Sequence, residues 1–281
     1  MIESGIADYA VLIPNQLLSR LEENPKVSVS YHQSWANEFY LLNTKKHPTD
    51  NLWVRRAIAS SLNRKTLANY IYKNTAVEPK GLIPQSIPLF IEPDSLISFD
   101  LDLAKGYLKK AEIDLSNTTI DLSYVSTYEE YRLTTFMLLD NLRKLDVQLE
   151  LKPGLWSTNW DKAKVLETAP NIISMAWWPT VSSPSDWFFA LYNTQQNPLF
   201  NLSYYSNSIV DSLTKKAWEL ESVDPESARD IYKEIQNILI DDCVVVPAVD
   251  VKTTSVRKRS IKGFKSNPAY STILVYHLRK N

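Results

Sequence analysis

The sequence predicts an α/β protein organised on a mostly parallel sheet, on three observations. Residues 118–125 alternate like a strand, with Ile120, Leu122 and Tyr124 on one face. A long helical stripe of Tyr131, Thr135, Leu138, Leu142 and Leu145 follows, and residues 147–151 then alternate again, which makes a crossover unit whose two strands lie parallel. Composition agrees: 281 residues, 44% hydrophobic and 22% charged, supply one large or two ordinary domains with ample core.

Taken in order, residues 15–23 read as a short amphipathic helix, residues 27–31 as a half-buried strand and residues 38–43 as another. No capped first element precedes them, and the chain reads as starting part-way into a fold. Pro48-Thr49-Asp50 offers an N-cap to a helix over 51–62, whose stripe is Val54, Ala57, Ile58, Ser61 and Leu62. Arg55 and Arg56 flank that stripe and are expected in solvent or in surface pairs. Residues 75–99, with Pro79, Gly81, Pro84, Pro88 and Pro93, are too punctuated for strand or helix.

Asp100 caps a helix reaching about Ala111, and Ser126 with Glu129 has the spacing of a capping box for the long helix. A helix near 161–168 and a strand over 171–177 come next. Two helices follow, one over 208–221 and one with Asp224 at its cap and Pro225 at its first position. Ile231, Ile235 and Ile238 give the second its core stripe. Residues 244–249, 253–256 and 273–276 close the chain as strand-like segments. Lys252, Arg257, Lys258, Arg259, Lys262 and Lys265 are expected along a solvated edge.

A formal charge of −1 argues against nucleic acid as a partner, since phosphate binding needs a basic excess. Eight tryptophans and fifteen tyrosines against five glycines are the unusual feature. Cys243 is the only cysteine and sits in the apolar run Cys243-Val244-Val245-Val246, which suits a buried thiol. Met1-Ile2-Glu3-Ser4-Gly5 lacks the basic and apolar regions of a signal peptide, and no apolar run is long enough to span a bilayer. His32, His47 and His277 are scattered without ligand spacing, so no metal site is expected. No nucleophile elbow, dinucleotide fingerprint or P-loop is present, and the pairs Glu129-Glu130 and Asp241-Asp242 sit at helix ends. No cofactor and no catalytic role are expected.

One stretch stands apart: Ile172 begins a short apolar run ending in Trp177-Trp178, a proline- and serine-rich turn follows, and an aromatic helix opens at Pro184-Ser185-Asp186. Its rings read either as core or as the wall of a crevice beyond the carboxyl end of a sheet strand.

Several separated motifs resemble the C-terminal part of the oligopeptide-binding class of extracellular solute-binding proteins, the ligand receptors of ABC importers. Gly5-Ile6-Ala7-Asp8 is similar to the family's G-x-x-D segment, and Phe39-Tyr40-Leu41-Leu42-Asn43 to its aromatic strand ending in asparagine. Asp50 with Val54-Arg55-Arg56-Ala57 resembles the D-x-x-V-R-x-A helix, the most specific match. Gly81-Leu82-Ile83-Pro84 resembles G-x-I-P, Asp102 to Leu108 the A-x-x-L-L helix, Trp177 to Pro184 the tryptophan-turn-proline segment, and Ile261-Lys262-Gly263-Phe264 the closing v-x-G-f.

The resemblance implies a type II periplasmic-binding-protein-like fold, with a nearly complete second lobe and the C-terminal part of the first. Residues 1–42 would be a first-lobe segment and crossover strand, 43–245 the ligand-binding second lobe, and 246–281 the return crossover and first-lobe segment. It implies a peptide or oligosaccharide ligand, a membrane permease and the missing N-terminal half as partners, and an extracellular or periplasmic, membrane-associated location. Trp156, Trp177, Trp178, Thr180, Asp186, Tyr40 and Asn43 are the implied ligand-binding residues. Peptide binders of the family commonly carry an aspartate in the turn after the tryptophan, where this sequence has Thr180, and a neutral hydroxyl cannot give an ammonium a charge-assisted bond. Either another carboxylate, such as Asp186, supplies it or the ligand is not a free-N-terminal peptide. A hydrolase using crevice carboxylates and a non-binding interaction module are the readings from other classes.

Overall fold

The computed structural model describes residues 1–11, 13–115, 118–269 and 274–280. Strand β1 (Tyr9–Val11) and helix α1 (Asn15–Glu22) lead into β2 (Val27–Leu42). Helix α2 (Leu52–Ser60), the short α3 (Arg64–Thr66), strand β3 (Ala76–Val77) and α4 (Leu101–Ala111) follow. The alternating part comprises β4 (Thr119–Val125), α5 (Glu129–Arg143), β5 (Gln148–Gly154), α6 (Trp156–Ala163) and β6 (Ile172–Trp177). Helices α7 (Ser185–Leu191), α8 (Ser208–Leu220) and α9 (Pro225–Asp241) precede β7 (Val245–Lys258), β8 (Ile261–Lys262) and β9 (Arg279–Lys280).

Two long strands organise the molecule. The strand patterns over 27–31 and 38–43 belong to one sixteen-residue strand, β2. Between them the pairing register with β7 shifts twice, between Gln33 and Ala36 and between Glu38 and Phe39. The patterns over 244–249 and 253–256 likewise merge into β7, which pairs antiparallel with β2 from Val27↔Lys258 to Leu41↔Val245.

The sheet runs β1-β7-β2-β6-β4-β5, with β3 also on β7. Among the described residues only β4–β5 and β4–β6 are parallel, while β2 pairs antiparallel with both β6 and β7. The expectation of a mostly parallel sheet is therefore corrected to a mixed one, because the crossover unit accounts for three strands and the two long strands return against each other.

Helices cover both faces. Along β2, Phe39 and Leu41 enter a core with the 82–87 segment and α7, α8 and α9, whereas Tyr40 and Leu42 enter one with α2, α4 and α5. A much smaller core of Leu21, Val27 and Val256 packs α1 on the other end of the same strands.

Several local expectations change. The cap of α2 is Asn51, accepting from the Trp53 and Val54 amides, and Pro48-Thr49-Asp50 lies outside it. Helix α5 has no capping box: Tyr128 is its cap, and the Ser126 hydroxyl turns to the Gly154 carbonyl. Helix α6 starts at Trp156, well ahead of the expected 161. Residues 275–277 form a 3₁₀ turn instead of a strand, and residue 273 lies outside the described residues. Lys252, Arg257 and Lys258 do not lie on an edge, since β7 pairs with β2 on one side and with β1 and β3 on the other, whereas Arg259, Lys262 and Lys265 lie beyond β7 and are exposed as expected. Within it Lys258 pairs with Asp8 at 2.5 Å, and Arg257 lies over the Phe264 ring.

Arg55 is buried, at 7% exposure, and not in solvent. Its guanidinium donates to the carbonyls of Thr49, Asp50, Asp242 and Cys243 at 2.7–3.2 Å. Helix α9 ends there, with Cys243 in the left-handed conformation at φ 49°. The last carbonyls of a helix lack intrahelical partners, and Arg55 provides them.

Candidate ligand-binding cleft

A cleft of about 880 Å³ lies over the middle of β2 and β7. That volume is in the range of small-molecule sites. Its position follows from strand alternation. Side chains two apart share a face, so Ser34, Ala36 and Glu38 continue the row of Tyr40 and Leu42. Tyr40 and Leu42 lie beneath α2 and α5; the next three positions lie beyond that cover and line the cleft. The start of α5 (Glu129, Glu130 and Tyr131) with Tyr128 forms one wall. Pro14, Asn15 and Gln16 at the start of α1 form the other, with Lys252, Thr253 and Thr254 of β7 along the floor.

The same alternation separates the tandem tryptophans. Ala176 and Trp178 line the cleft, and Trp178 is 56% exposed. Trp177 points to the opposite face, where it meets Phe200 edge-on at 5.0 Å. Phe200 stacks on Trp160 at 5.8 Å and Trp160 on Trp156 at 6.5 Å, with the Lys164 ammonium 3.6 Å from the Trp160 centroid. Trp156, Trp160, Phe200 and Trp177 thus form an aromatic ladder behind the sheet.

The Trp177 indole donates to Asp186 at 2.8 Å, and the Thr180 amide and hydroxyl donate to the other Asp186 oxygen at 3.0 and 2.5 Å. Asp186 therefore closes the turn after the tryptophans, and Thr180 spends its donors there. Tyr40, 1% exposed, bonds Thr135 within the core. Asn43, fully buried, donates to the Pro170 carbonyl and accepts from the Lys45 amide. Of the seven residues implied from sequence, Trp178 lines the cleft. Trp177, Thr180 and Asp186 hold the turn that carries it, Trp156 ends the ladder, and Tyr40 and Asn43 are packed away from it. Tyr40 and Asn43, expected in the site, are thus buried in the packing and do not line this cleft.

Sequence reasoning missed Glu38, Tyr72, Glu130, Tyr131 and Lys252. The available signal was Glu38 itself, a carboxylate in register with core-facing Tyr40 and Leu42. Its side chain is half-buried and accepts from the Tyr72 hydroxyl. Burial pushes Glu38 up to about 8, Tyr72 opposes the shift and the Glu130 charge adds to it. Tyr72 and Tyr131 are in turn raised well above the ordinary tyrosine value, by burial first and then by the Glu38 charge. Glu129 is lowered, its carboxylate held by Arg132. On β7, burial pushes Asp250 up to about 7, against bonds from the Gln85 amide and side chain. Among the described residues no group of three metal-ligating side chains is present, and no helix is long and apolar enough to cross a membrane.

A helix-flanked sheet, two long antiparallel strands running from a large core to a small one, and a cleft over their midpoint are the architecture of the type II periplasmic-binding-protein fold. The chain belongs to the bacterial extracellular solute-binding proteins of family 5, whose middle-region model matches residues 1–198. This family is defined by solute binding and not by catalysis. Among curated proteins, the chain is 25% identical over 269 residues to the glutathione-binding protein GsiB of Escherichia coli O6:K15:H31, covering 94% of this chain and 52% of that one. Among solved structures, it superposes on a dipeptide-binding protein from Pseudoalteromonas sp. SM9913 in complex with Met-Leu, with TM-score 0.82, 20% identity, and coverage of 100% of this chain and 55% of that one. For the periplasmic binding protein DppA of Helicobacter pylori in complex with the peptide STSA the values are 0.86, 19%, 99% and 54%. The chain spans about half the length of the relatives it matches. None of these three is named for an oligosaccharide or for hydrolysis.

Proposed function

We propose that this chain forms the main ligand-capturing part of an ABC importer's solute-binding protein, and that it takes a peptide or peptide-like solute into the cleft without chemical change. The observation that carries this is the 880 Å³ cleft over the midpoint of β2 and β7, in a chain of this family. The two long strands are read as crossovers between lobes, with 1–42 and 246–281 in the first and 43–245 in the second. Relatives named for glutathione, a dipeptide and a tetrapeptide support a peptide-like ligand. In this reading Trp178 is the stacking platform, Asp186, Thr180 and Trp177 hold its turn, and Trp156 stiffens the ladder behind. Tyr40 and Asn43 keep β2 in place. The partners are a membrane permease and the N-terminal half that the relatives' extra length supplies, on the outer side of the membrane.

The test is thermal unfolding of the chain with tri-alanine, glutathione and maltotriose. A ligand at 100 times its Kd stabilises by about 2.7 kcal/mol, which for a chain of this size raises Tm by about 4 °C. A rise with tri-alanine or glutathione is expected. A rise with maltotriose alone would replace the peptide with a sugar, and no rise with any of the three would overturn the reading.

A further inference from the structure

We propose that Glu38 is the cation-recognising group of the cleft, and that it takes up a ligand ammonium in exchange for its own proton. This rests on the proposed solute-binding role. Glu38 lies on β2, at the point where the inward row leaves the core and enters the cleft. It has no ion-pair partner among the described residues, and its hydrogen bond from Tyr72 aims the carboxyl while leaving it without a counter-charge. Tyr128, Tyr131 and Trp178 line the same cleft, so aromatic rings that can attract a cation are within it. Asp186, the carboxylate nearest the turn, already accepts three bonds. Glu129 pairs with Arg132, and of the two remaining acids of the cleft, Glu38 and Glu130, Glu38 is the one that the Tyr72 hydroxyl holds in place over the strand floor.

The groups around it favour exchange over a fixed charge. Burial and the Glu130 charge of α5 favour the protonated acid, against the hydrogen bond from Tyr72, while Tyr131 and, two positions on in the inward row, Tyr40 lie close to it as further phenols. Glu129 is neutralised by Arg132. From β7 come Lys252, a cation lining the same cleft, and Asp250, which bonds Gln85. The carboxyl accordingly holds a proton up to about pH 8. An ammonium arriving beside it favours the carboxylate, and one proton leaves to solvent as the ion pair forms. Affinity for an amine then falls about tenfold per unit as pH drops below about 8, because the amine competes with the proton.

The experiment is calorimetry of the chain with tri-alanine and N-acetyl-tri-alanine at pH 6, 7 and 8.5, in buffers of different ionisation enthalpy. The expected result is release of close to one proton per tri-alanine at pH 6 and of none for the acetylated peptide. Tri-alanine affinity should weaken about 10- to 20-fold from pH 8.5 to 6, because at pH 8.5 the peptide's own amine has already lost most of its charge, with no such slope for the acetylated form. Glu38→Gln, isosteric with the protonated acid and so compatible with the fold at pH 6, should abolish both proton release and slope. Asp250→Asn should keep them. Equal affinity for the two peptides, or a slope that survives Glu38→Gln, would overturn the assignment while leaving the solute-binding role intact. Binding of neither peptide by a chain that also shows no thermal shift would remove both.

Discussion

The guanidinium of Arg55 occupies the carbonyl cage where α9 ends, and its burial shows how a single side chain joins distant parts of the sequence. Thr49 and Asp50 lie just before α2, and Asp242 and Cys243 some 190 positions later, yet all four carbonyls point at one group. Removing it leaves buried acceptors unsatisfied. Arg55→Ala should cost about 3–5 kcal/mol, and Arg55→Lys about half, because an ammonium lacks the planar fork. Urea unfolding measures this, and a loss under about 1 kcal/mol for Arg55→Ala would refute the cage. The neighbouring Arg56 instead lies over the Trp53 ring and reaches the Asp241 carbonyl, so the two adjacent arginines do different work. Nothing in their shared surroundings in the sequence distinguishes them. A flanking position on an amphipathic helix is usually solvated, and only the return of α9 against α2 reveals the exception. Asp186 is a parallel case: an acid near the expected ligand turn proves to brace that turn.

At the scale of the element, β2 and β7 each carry one carboxyl, the half-buried Glu38 and the buried Asp250, whose proton is held more tightly in the folded chain than in the unfolded one. Glu38 rises from 4.5 to about 8 and Asp250 from 3.8 to about 7, in both cases chiefly through burial. Between pH 4 and 8 the unfolded chain has released these protons and the folded chain has not, so the folded state binds more protons. Stability contributed by the pair is therefore full below about pH 4, falls as pH rises and levels off above about pH 8. Urea unfolding at pH 5, 6.5 and 8.5 should show a decline of a few kcal/mol, and Glu38→Gln with Asp250→Asn should flatten it. A stability that rises over that interval would refute the assignment. The sheet register that creates this situation was only partly readable. Alternation marks residues 38–43 as a strand and Glu38 as its first member, but not that the strand continues unbroken back to Val27 across a register shift.

For the whole molecule, the decisive feature is the unequal support along the shared strands. One end of β2 and β7 lies between two large cores, and the other rests on Leu21, Val27 and Val256. Local opening follows buried apolar contact, so the two ends of one strand should open at different free energies. Hydrogen exchange is expected to show protection of Phe39, Tyr40 and Leu41 amides near the global limit, and of Val29 and Ser30 at least 100-fold lower. Uniform protection along β2 would show that the strand opens as a single unit. A cleft sited between a firm end and a weaker one is placed where a closing motion would bend the strands. That is consistent with the proposed capture of a solute between lobes.

Periodicity and caps were enough to reveal an α/β chain, most of its helices and the crossover unit from β4 to β5, because those signals are local and arise from which face of an element is apolar. Ordered motifs such as Val54-Arg55-Arg56-Ala57 were enough to point to the family. Tertiary structure alone decided which tryptophan of the pair faces the cleft, that Asp186 and Thr180 are spent on each other, and that Tyr40 and Asn43 are core. It also brought Glu38, Tyr72, Glu130 and Lys252 from four separate segments to one hollow. The physical reason is that a binding surface is made where packing stops, and where packing stops is set by pairings between residues hundreds of positions apart.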